Sequence, residues 1–342
     1  MEHTGEKILE LKNVVYSFHT YGGVVRAVRD VSFDVRRGEI VGIVGESGCG
    51  KSVTAQCIMR LNPEPPGFFG GGEIIFEGRD ILKMDKKELR RVRGREIGFI
   101  FQDPMTSLNP TMKIGAQIEE VFLGRTDVTK KEVKEKALNI MKLVGISDVE
   151  KRYSQYPHEL SGGMKQRVMI AIALVSQPSL IICDEPTTSL DVTMEAQILD
   201  LLLELREKFG TSIIMITHDL GVIARLCDRV VVMYGGKVAE HGTVNEIFYE
   251  TAHPYTRGLM SSIAGLDTPK DAVLTPIEGT PPDLFCPPKG CPFAARCEYA
   301  MDICYKYPPQ TYRLSDEHET TCWLQHEYAP KVDLRMKREE QA

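Results

Sequence analysis

The 342-residue sequence lacks any long apolar run. No window approaches the roughly 20 consecutive apolar residues that a membrane-spanning helix needs. Glu2 and Glu6 interrupt the basic and then apolar pattern that a secretory signal requires at the N-terminus. These two absences lead us to expect a cytosolic protein that reaches a membrane only through partner proteins.

An excess of positive charge is also missing. The chain has 42 Lys and Arg residues against 48 Asp and Glu residues, which gives a formal net charge of -6. The densest basic stretch consists of Lys86, Lys87, Arg90, Arg91, Arg93 and Arg95. In a chain of net negative charge we interpret this stretch as a solvated face, and we expect no nucleic acid as a partner.

Paired C-x-x-C motifs are absent from the nine cysteines. Four cysteines are scattered over the first 265 residues, and five crowd the tail: Cys286, Cys291, Cys297, Cys304 and Cys322. Disulfides are rare in a reducing cytosol, so the crowded set indicates either a metal site or free thiols. The spacing Cys291-x5-Cys297-x6-Cys304-x17-Cys322 is not that of a zinc ribbon, and four thiolates suit an iron–sulfur cluster as well as zinc. On spacing alone, metal and free thiols both stay open.

Strand patterns and helical patterns alternate along most of the chain. The predicted strands include Glu39–Val44, Ile97–Phe101, Leu180–Cys183, Ile213–Thr217 and Val230–Met233, and the predicted helices include Lys130–Val144, Met194–Lys208 and Leu220–Leu226. This alternation predicts an α/β fold with a parallel sheet, in which residues 103–175 are mostly helical. Prolines break the pattern after residue 265. We therefore predict one large α/β domain over 1–265, a Pro- and Cys-rich module over 266–330 and a disordered tail over 331–342.

A glycine-rich motif follows the predicted strand that ends at Val44. Residues 45–52 read Gly-Glu-Ser-Gly-Cys-Gly-Lys-Ser. A phosphate loop needs glycines so that the chain turns tightly and aims backbone N–H groups at phosphate oxygens. Lys51 would neutralise the β- and γ-phosphates, and the Ser52 hydroxyl would bind Mg²⁺. The motif predicts an ATP site that includes Gly45, Glu46, Ser47, Gly48, Cys49, Gly50, Lys51, Ser52 and Val53.

Two carboxylates, Asp184 and Glu185, follow the predicted strand Leu180–Cys183. A buried strand followed by a solvated acidic turn is the simpler interpretation. Given the phosphate loop, we expect Asp184 to hold Mg²⁺, through water, as in other phosphate-loop enzymes. Glu185 would then act as a general base on the attacking water.

A third motif lies between these two. Residues 160–166 read Leu-Ser-Gly-Gly-Met-Lys-Gln, and Ser161 by itself is a credible helix N-cap. In this order the three motifs resemble the ATPase subunit of an ABC transporter. The resemblance implies an α/β phosphate-loop NTPase core with an antiparallel β subdomain and a helical subdomain, to which the tail adds a small cysteine-containing C-terminal module.

The resemblance assigns roles to further residues. Gln102 matches the glutamine that contacts Mg²⁺ or the attacking water, and His218 matches the histidine that contacts the γ-phosphate. Phe18 would stack on adenine, with Tyr16 and Tyr21 as competitors.

It also implies a site shared between two subunits. The γ-phosphate held by one subunit would be bound by the third motif of the other, namely Ser161, Gly162, Gly163 and Met164. Met164 departs from the commonest form of the motif, which has Gln at that position. Asp191 matches the loop that couples the two sites.

The tail resembles the C-terminal extension of oligopeptide and dipeptide importer ATPases. The similar segments are His253-Pro254-Tyr255-Thr256, Pro281-Pro282-Asp283-Leu284, Gly290-Cys291-Pro292-Phe293 and Arg296-Cys297. In some of these subunits the cysteines hold a four-iron four-sulfur cluster, so the resemblance implies Cys291, Cys297, Cys304 and Cys322 as its ligands, with zinc as the alternative. Cys286 has no counterpart and is either a spare thiol or a rival ligand.

The implied activity is ATP hydrolysis that powers peptide import through ATP-driven dimer closure. The implied partners are two membrane permeases, a second, similar ATPase subunit and an external substrate-binding protein, at the cytoplasmic face of the cell membrane. Import of nickel complexes or oligosaccharides is an alternative. A soluble ABC ATPase acting on ribosomes or DNA is a more distant one, because those proteins carry two ATPase cores or long insertions.

Overall fold

The computed structural model describes residues 5–123, 128–187, 192–262 and 277–335, without the side chains of Met105 and Val192. The strands are β1 Lys7–Thr20, β2 Gly23–Arg36, β3 Ile40–Val44, β4 Gly67–Phe76, β5 Arg79–Asp80, β6 Ile97–Ile100, β7 Leu180–Asp184, β8 Ser212–Ile216, β9 Arg229–Tyr234, β10 Lys237–Thr243, β11 Tyr312–Arg313 and β12 Glu319–Thr320. The helices are α1 Lys51–Ile58, α2 Lys86–Arg91, α3 Pro104–Ser107, α4 Ile114–Glu120, α5 Lys130–Leu143, α6 Val149–Tyr153, α7 Gly162–Leu174, α8 Val192–Phe209, α9 Leu220–Leu226, α10 Val244–Tyr249, α11 Pro254–Ser261 and α12 Asp302–Lys306.

The first of two compact units is built on a parallel sheet. It comprises Met1–Ile8, Val35–Ile40 and Lys83–Ile216. In its sheet Leu180 of β7 lies opposite Ile97 of β6 on one side and Ser212 of β8 on the other. All residues of these three strands are buried. Burial on both faces explains why the strands appear in the sequence as continuous apolar runs, and the predicted parallel α/β arrangement is confirmed in this unit.

Helices α3 to α7 of this unit occupy the stretch predicted to be mostly helical. Helix α5 begins with a capping box, because the Thr129 hydroxyl accepts a hydrogen bond from the Glu132 N–H while the Glu132 carboxylate accepts one from the Thr129 N–H. Ala137, Ile140 and Met141 form its buried face. The apolar period of the sequence therefore predicted this helix correctly.

The second unit comprises Leu9–Asp34, Val41–Leu82 and Thr217–Ala342. It contains a sheet in the order β2-β1-β4-β5, in which β4 runs antiparallel to both β1 and β5, and this confirms the antiparallel β subdomain. It also contains β3 parallel to β9, and β10 antiparallel to both β9 and β12. Strand β12 joins the tail to this unit through the pairs Glu240–Thr320 and His241–Glu319.

A buried carboxylate, Glu240, anchors the chain around this junction. Its oxygens accept hydrogen bonds from the N–H groups of Ala252 and His253, at 2.7 and 3.2 Å, and lie 2.7 Å from Nε2 of His318. Burial lowers the pKa of His253 to about 4, so its ring is neutral and Nδ1 accepts the N–H of Tyr255. His253 thereby caps α11, which gives the His-Pro-Tyr-Thr segment a structural role.

Within the described residues, no helix combines the length and the apolar character needed to cross a membrane. The predicted domain boundary at residue 266 lies outside the described residues. In the last described segment Leu334 is buried, and its carbonyl accepts a hydrogen bond from the Thr251 hydroxyl at 2.6 Å. Of the predicted disordered tail, 331–342, residues 336–342 lie outside the described part of the chain.

Candidate functional site

The glycine-rich motif connects β3 to α1 in a tight turn within the second unit. Gly45, Gly48 and Gly50 have φ angles of 147°, 77° and 101°. A Cβ atom at residue 45 would lie 2.2 Å from the carbonyl oxygen of Met233, and one at residue 50 would lie 2.4 Å from that of Ala27. Both positions therefore need glycine for space as well as for conformation.

The loop encloses the side chain of Lys51. This side chain is buried, and its Nζ donates hydrogen bonds to the carbonyl oxygens of Gly45 at 2.7 Å and Glu46 at 3.1 Å. Ser52 and Val53 follow in the first turn of α1. The ammonium group is thus held at the start of a helix, where backbone N–H groups attract anions such as phosphate.

His218 lies beside the same loop. A cavity of about 510 Å³ is lined by Gly45, Glu46, Ser47 and His218, among other residues of this unit. The neighbouring Asp219 caps α9, because its Oδ1 accepts the N–H groups of Gly221 and Val222 at 2.7 and 3.3 Å. The structure thus brings His218 and the phosphate loop together and leaves Asp219 with a capping role.

The first unit brings together the predicted base and the predicted glutamine. Asp184 ends β7 and is 5% exposed, and Glu185 follows it with φ 47°. Nε2 of Gln102 donates to Oε2 of Glu185 at 2.9 Å, and the Glu185 N–H donates to the Ile216 carbonyl at 2.9 Å. The carboxylate is therefore fixed both by its backbone and by a neutral hydrogen-bond donor.

The Ser-Gly-Gly motif begins α7 in the first unit. Oγ of Ser161 accepts the Met164 N–H at 3.4 Å, so the capping interpretation is correct, and Gly162 is exposed. Gln166 is fully buried, and its amide donates to the carbonyl of Pro186, the residue after Glu185. The sequence motif includes Gln166 but indicates no role for it. Its place two residues after Met164, on a largely apolar helix, was the available signal.

Of the three aromatic residues considered for stacking on adenine, the structure excludes one. Tyr16 is 0% exposed and its hydroxyl donates to the Pro63 carbonyl at 3.4 Å, so its ring face is not available to a ligand. Phe18 is half-buried with its ring edge-to-face against Tyr16, and Tyr21 is fully exposed. Asp191 lies outside the described residues.

Four of the tail cysteines lie close enough together to affect one another's pKa. Cys291, Cys304 and Cys322 are buried and Cys297 is half-buried. Burial, with a contribution from the other thiols of the set, raises the pKa of Cys291 and Cys297 to about 11 and that of Cys322 to about 12. The Cys291 N–H donates to the Cys304 carbonyl at 2.7 Å.

Cys286 differs from these four, since it is exposed. Among the described residues, no group of three or more His, Cys, Asp or Glu side chains is arranged to hold a metal ion. The four thiols of the set are near neighbours, because their charges affect one another's pKa.

Comparisons with family models and with known proteins show which family the chain resembles. The model of the ABC transporter family matches residues 28–188, and that of the oligopeptide/dipeptide transporter C-terminal region matches residues 239–304. The oligopeptide transport ATP-binding protein OppD of Bacillus subtilis is 55% identical over 327 residues, which covers 96% of this chain and 91% of the relative. The dipeptide transport ATP-binding protein DppD of the same organism is 54% identical over 330 residues, which covers 96% and 98%.

Solved structures show the same core. A dimeric ATP-binding cassette in a post-hydrolysis state, bound to ADP and Pi, has a TM-score of 0.62 at 29% identity, and covers 69% of this chain and 98% of that one. CbiO1 of Clostridium perfringens, part of a transporter complex, has a TM-score of 0.60 and covers 71% and 91%. The predicted phosphate-loop NTPase core is confirmed. The chain belongs to the ABC transporter family and, within it, to the oligopeptide and dipeptide transport ATP-binding proteins.

Proposed function

We propose that this chain hydrolyses ATP to power peptide import by an ABC transporter. The observation that carries the proposal is that the similarity extends beyond the ATPase core, because 96% of the chain aligns with an oligopeptide transport ATP-binding protein and the match includes its C-terminal region. If the chain were an ABC ATPase of another kind, we would expect the similarity to cover the ATPase core alone.

The chemistry assigned to ATP and Mg²⁺ fits the donor atoms. Lys51 would bind the β- and γ-phosphates, since its ammonium group already lies against two carbonyl oxygens of the phosphate loop. The Ser52 hydroxyl, the Asp184 carboxylate and the Gln102 amide would supply the hard oxygen ligands that Mg²⁺ prefers. Bound Mg²⁺ would neutralise charge on the phosphates. Glu185 would accept the proton of the attacking water, and its hydrogen bond from Gln102 supports a fixed orientation.

A second ATPase subunit would complete each site. The exposed start of α7 at Ser161 and Gly162 supports this proposal, because helix N-termini bind anions and this one is accessible. ATP would then join two subunits, and hydrolysis would release them. Two permeases and an extracytoplasmic binding protein would complete an importer in which this chain lies at the cytoplasmic face of the membrane.

Fractionation and uptake measurements test this function together. The tagged chain is expected to co-purify with membranes and its permeases, and its deletion is expected to abolish uptake of labelled oligopeptides. If the deletion abolished uptake of nickel complexes or oligosaccharides and left peptide uptake intact, the result would support the alternative substrates. Co-purification with ribosomes or DNA, without any uptake defect, would contradict the importer assignment.

We also propose that Cys291, Cys297, Cys304 and Cys322 hold a four-iron four-sulfur cluster. In such a cluster each thiolate binds a different iron atom, and the four thiols here lie close enough together to affect one another's pKa. Because burial raises the pKa of Cys291, Cys297 and Cys322, metal uptake would release protons.

Elemental assays on anaerobically purified protein test the cluster. The protein is expected to contain about four iron and four sulfide per chain, and the Cys297→Ser/Cys304→Ser variant is expected to lose both. Cys286→Ser is the matched control, because Cys286 is exposed and outside the set; it should keep full iron. Zinc in place of iron, or iron retained by the double variant, would contradict the proposal.

A further inference from the structure

An arginine of the C-terminal module contacts the phosphate loop. Arg296 lies in a single helical turn, Ala294–Arg296, directly before Cys297. Its guanidinium faces the Glu46 carboxylate with two parallel hydrogen bonds, of 2.7 Å to Oε2 and 3.0 Å to Oε1. This is a bidentate ion pair, the strongest and most directional geometry between these groups. It joins residues that are 250 positions apart in the sequence.

All N–H groups of this guanidinium are used. Besides Glu46, it donates to the Tyr234 hydroxyl at 3.0 Å and to the carbonyls of Ile277 and Glu278, each at 2.8 Å. The Arg296 side chain is only 5% exposed and that of Glu46 is 24% exposed. Burial alone would lower the pKa of Arg296, but its bonds to Glu46 and Tyr234 outweigh burial and raise it. The arginine therefore keeps its charge and has one fixed orientation.

A second contact holds the backbone of the same loop residue. The Glu46 N–H donates to the Tyr255 hydroxyl at 2.9 Å, and Tyr255 is 0% exposed. The rings of Tyr255, Tyr234 and Phe293 pack together, with centroids 4.5 to 5.4 Å apart. Both the side chain and the N–H of Glu46 are thus held by residues outside the loop.

Glu46 is also a partner of the phosphate-binding lysine, because Lys51 donates to its carbonyl oxygen. A carboxylate in a phosphate loop would repel the phosphates of ATP unless another charge compensates it. Arg296 supplies that charge, and it leaves the Glu46 carbonyl in one position. A fixed loop binds its ligand without first losing conformational freedom.

We propose that Arg296 is a positioning residue for ATP: by neutralising and holding Glu46 it preforms the phosphate loop, and it couples ATP affinity to the C-terminal module. This inference rests on the proposed ATPase function. The coupling is reciprocal, so ATP binding must stabilise the turn Ala294–Arg296 to the same extent.

Mg·ATP affinity of full-length variants tests the proposal. Arg296→Gln leaves the Glu46 carboxylate uncompensated and is expected to weaken Mg·ATP binding about 5–100-fold, with KM raised more than kcat is lowered. Glu46→Gln removes the charge at its source, so the double variant Arg296→Gln/Glu46→Gln is expected to recover most of the loss. A purely structural arginine would not be rescued in this way. Arg313→Gln is the matched control, since the Arg313 guanidinium donates to nearby Ser315 and Asp316.

Hydrogen exchange supplies an independent readout. Mg·ATP is expected to slow exchange at residues 294–297 in the wild-type protein but not in Arg296→Gln. Should Arg296→Gln fail to fold, Tyr255→Phe carries the test, because it removes only the acceptor for the Glu46 N–H and is expected to weaken binding several-fold. Unchanged affinity in the folded variants, or no rescue in the double variant, would overturn the proposal. A wild-type protein that does not bind ATP would instead overturn the proposed function.

Discussion

Replacing Glu185 with Gln is expected to slow ATP hydrolysis by roughly 10²–10⁴-fold while ATP binding is kept. The glutamine side chain has almost the same size and can still accept the hydrogen bond from Gln102, which donates to Oε2 of Glu185. It cannot accept a proton from water. Because closure of the subunits is proposed to depend on bound ATP, the variant is also expected to accumulate as an ATP-bound dimer.

Steady-state ATPase rates, nucleotide affinity and size-exclusion chromatography with Mg·ATP measure these effects. Glu207→Gln is the control, because Glu207 is an exposed carboxylate on α8 and its removal should change neither rate nor dimerisation. Hydrolysis at the wild-type rate in Glu185→Gln would exclude Glu185 as the base. A parallel loss of ATP affinity would assign Glu185 to binding rather than to proton transfer.

The parallel sheet of the first unit could be predicted because its strands are buried on both faces. Leu180–Cys183 is a continuous apolar run, and Ile213–Thr217 is apolar up to its last residue. In the structure β7 ends one residue later than predicted, and β8 begins and ends one residue earlier. The helix Lys130–Val144 was equally clear from its apolar period and ends one residue earlier. In these elements local preference and tertiary burial favour the same structure.

The elements that the sequence left unpredicted depend on long-range contacts. Strand β12 has only two residues and exists because Thr320 pairs with Glu240. Strand β10 contains Glu240 and His241, whose polar side chains obscure the apolar pattern. Their polar groups are satisfied by His318 and Glu319, which no local pattern reveals.

In the candidate site, too, residues fixed by local constraints were predictable, and residues that depend on long-range contacts were not. Phosphate-loop glycines were predictable because their backbone conformation and close contacts allow few other residues. The roles of Gln166, Tyr255 and Arg296 were not, because each depends on a partner far away in the chain. The tail cysteines show the remaining gap: their spacing left metal and free thiols open, and the iron–sulfur cluster stays a prediction.

Replacing Lys51 with Ala is expected to act on binding, in contrast to Glu185→Gln. Each charge-assisted hydrogen bond contributes about 1.5–3 kcal/mol, so the loss of the ammonium group should weaken Mg·ATP binding by about 10–200-fold. Lys51 is enclosed by the carbonyls of Gly45 and Glu46, and no neighbouring lysine lies within the motif to replace it. Hydrolysis should fall at least as much, because unbound ATP cannot be positioned.

Equilibrium binding of Mg·ATP and of ADP separates the contributions. The lysine is assigned to the β- and γ-phosphates, so affinity for ATP should fall more than affinity for ADP. Lys131→Ala, which removes an exposed lysine of α5, should leave both affinities unchanged. Equal losses for the two nucleotides would mean that Lys51 supports the shape of the loop through Gly45 and Glu46, and does not contact the γ-phosphate. Because Glu185→Gln keeps ATP bound and Lys51→Ala releases it, only the former should form the ATP-dependent dimer, and that difference separates the binding step from the chemical step.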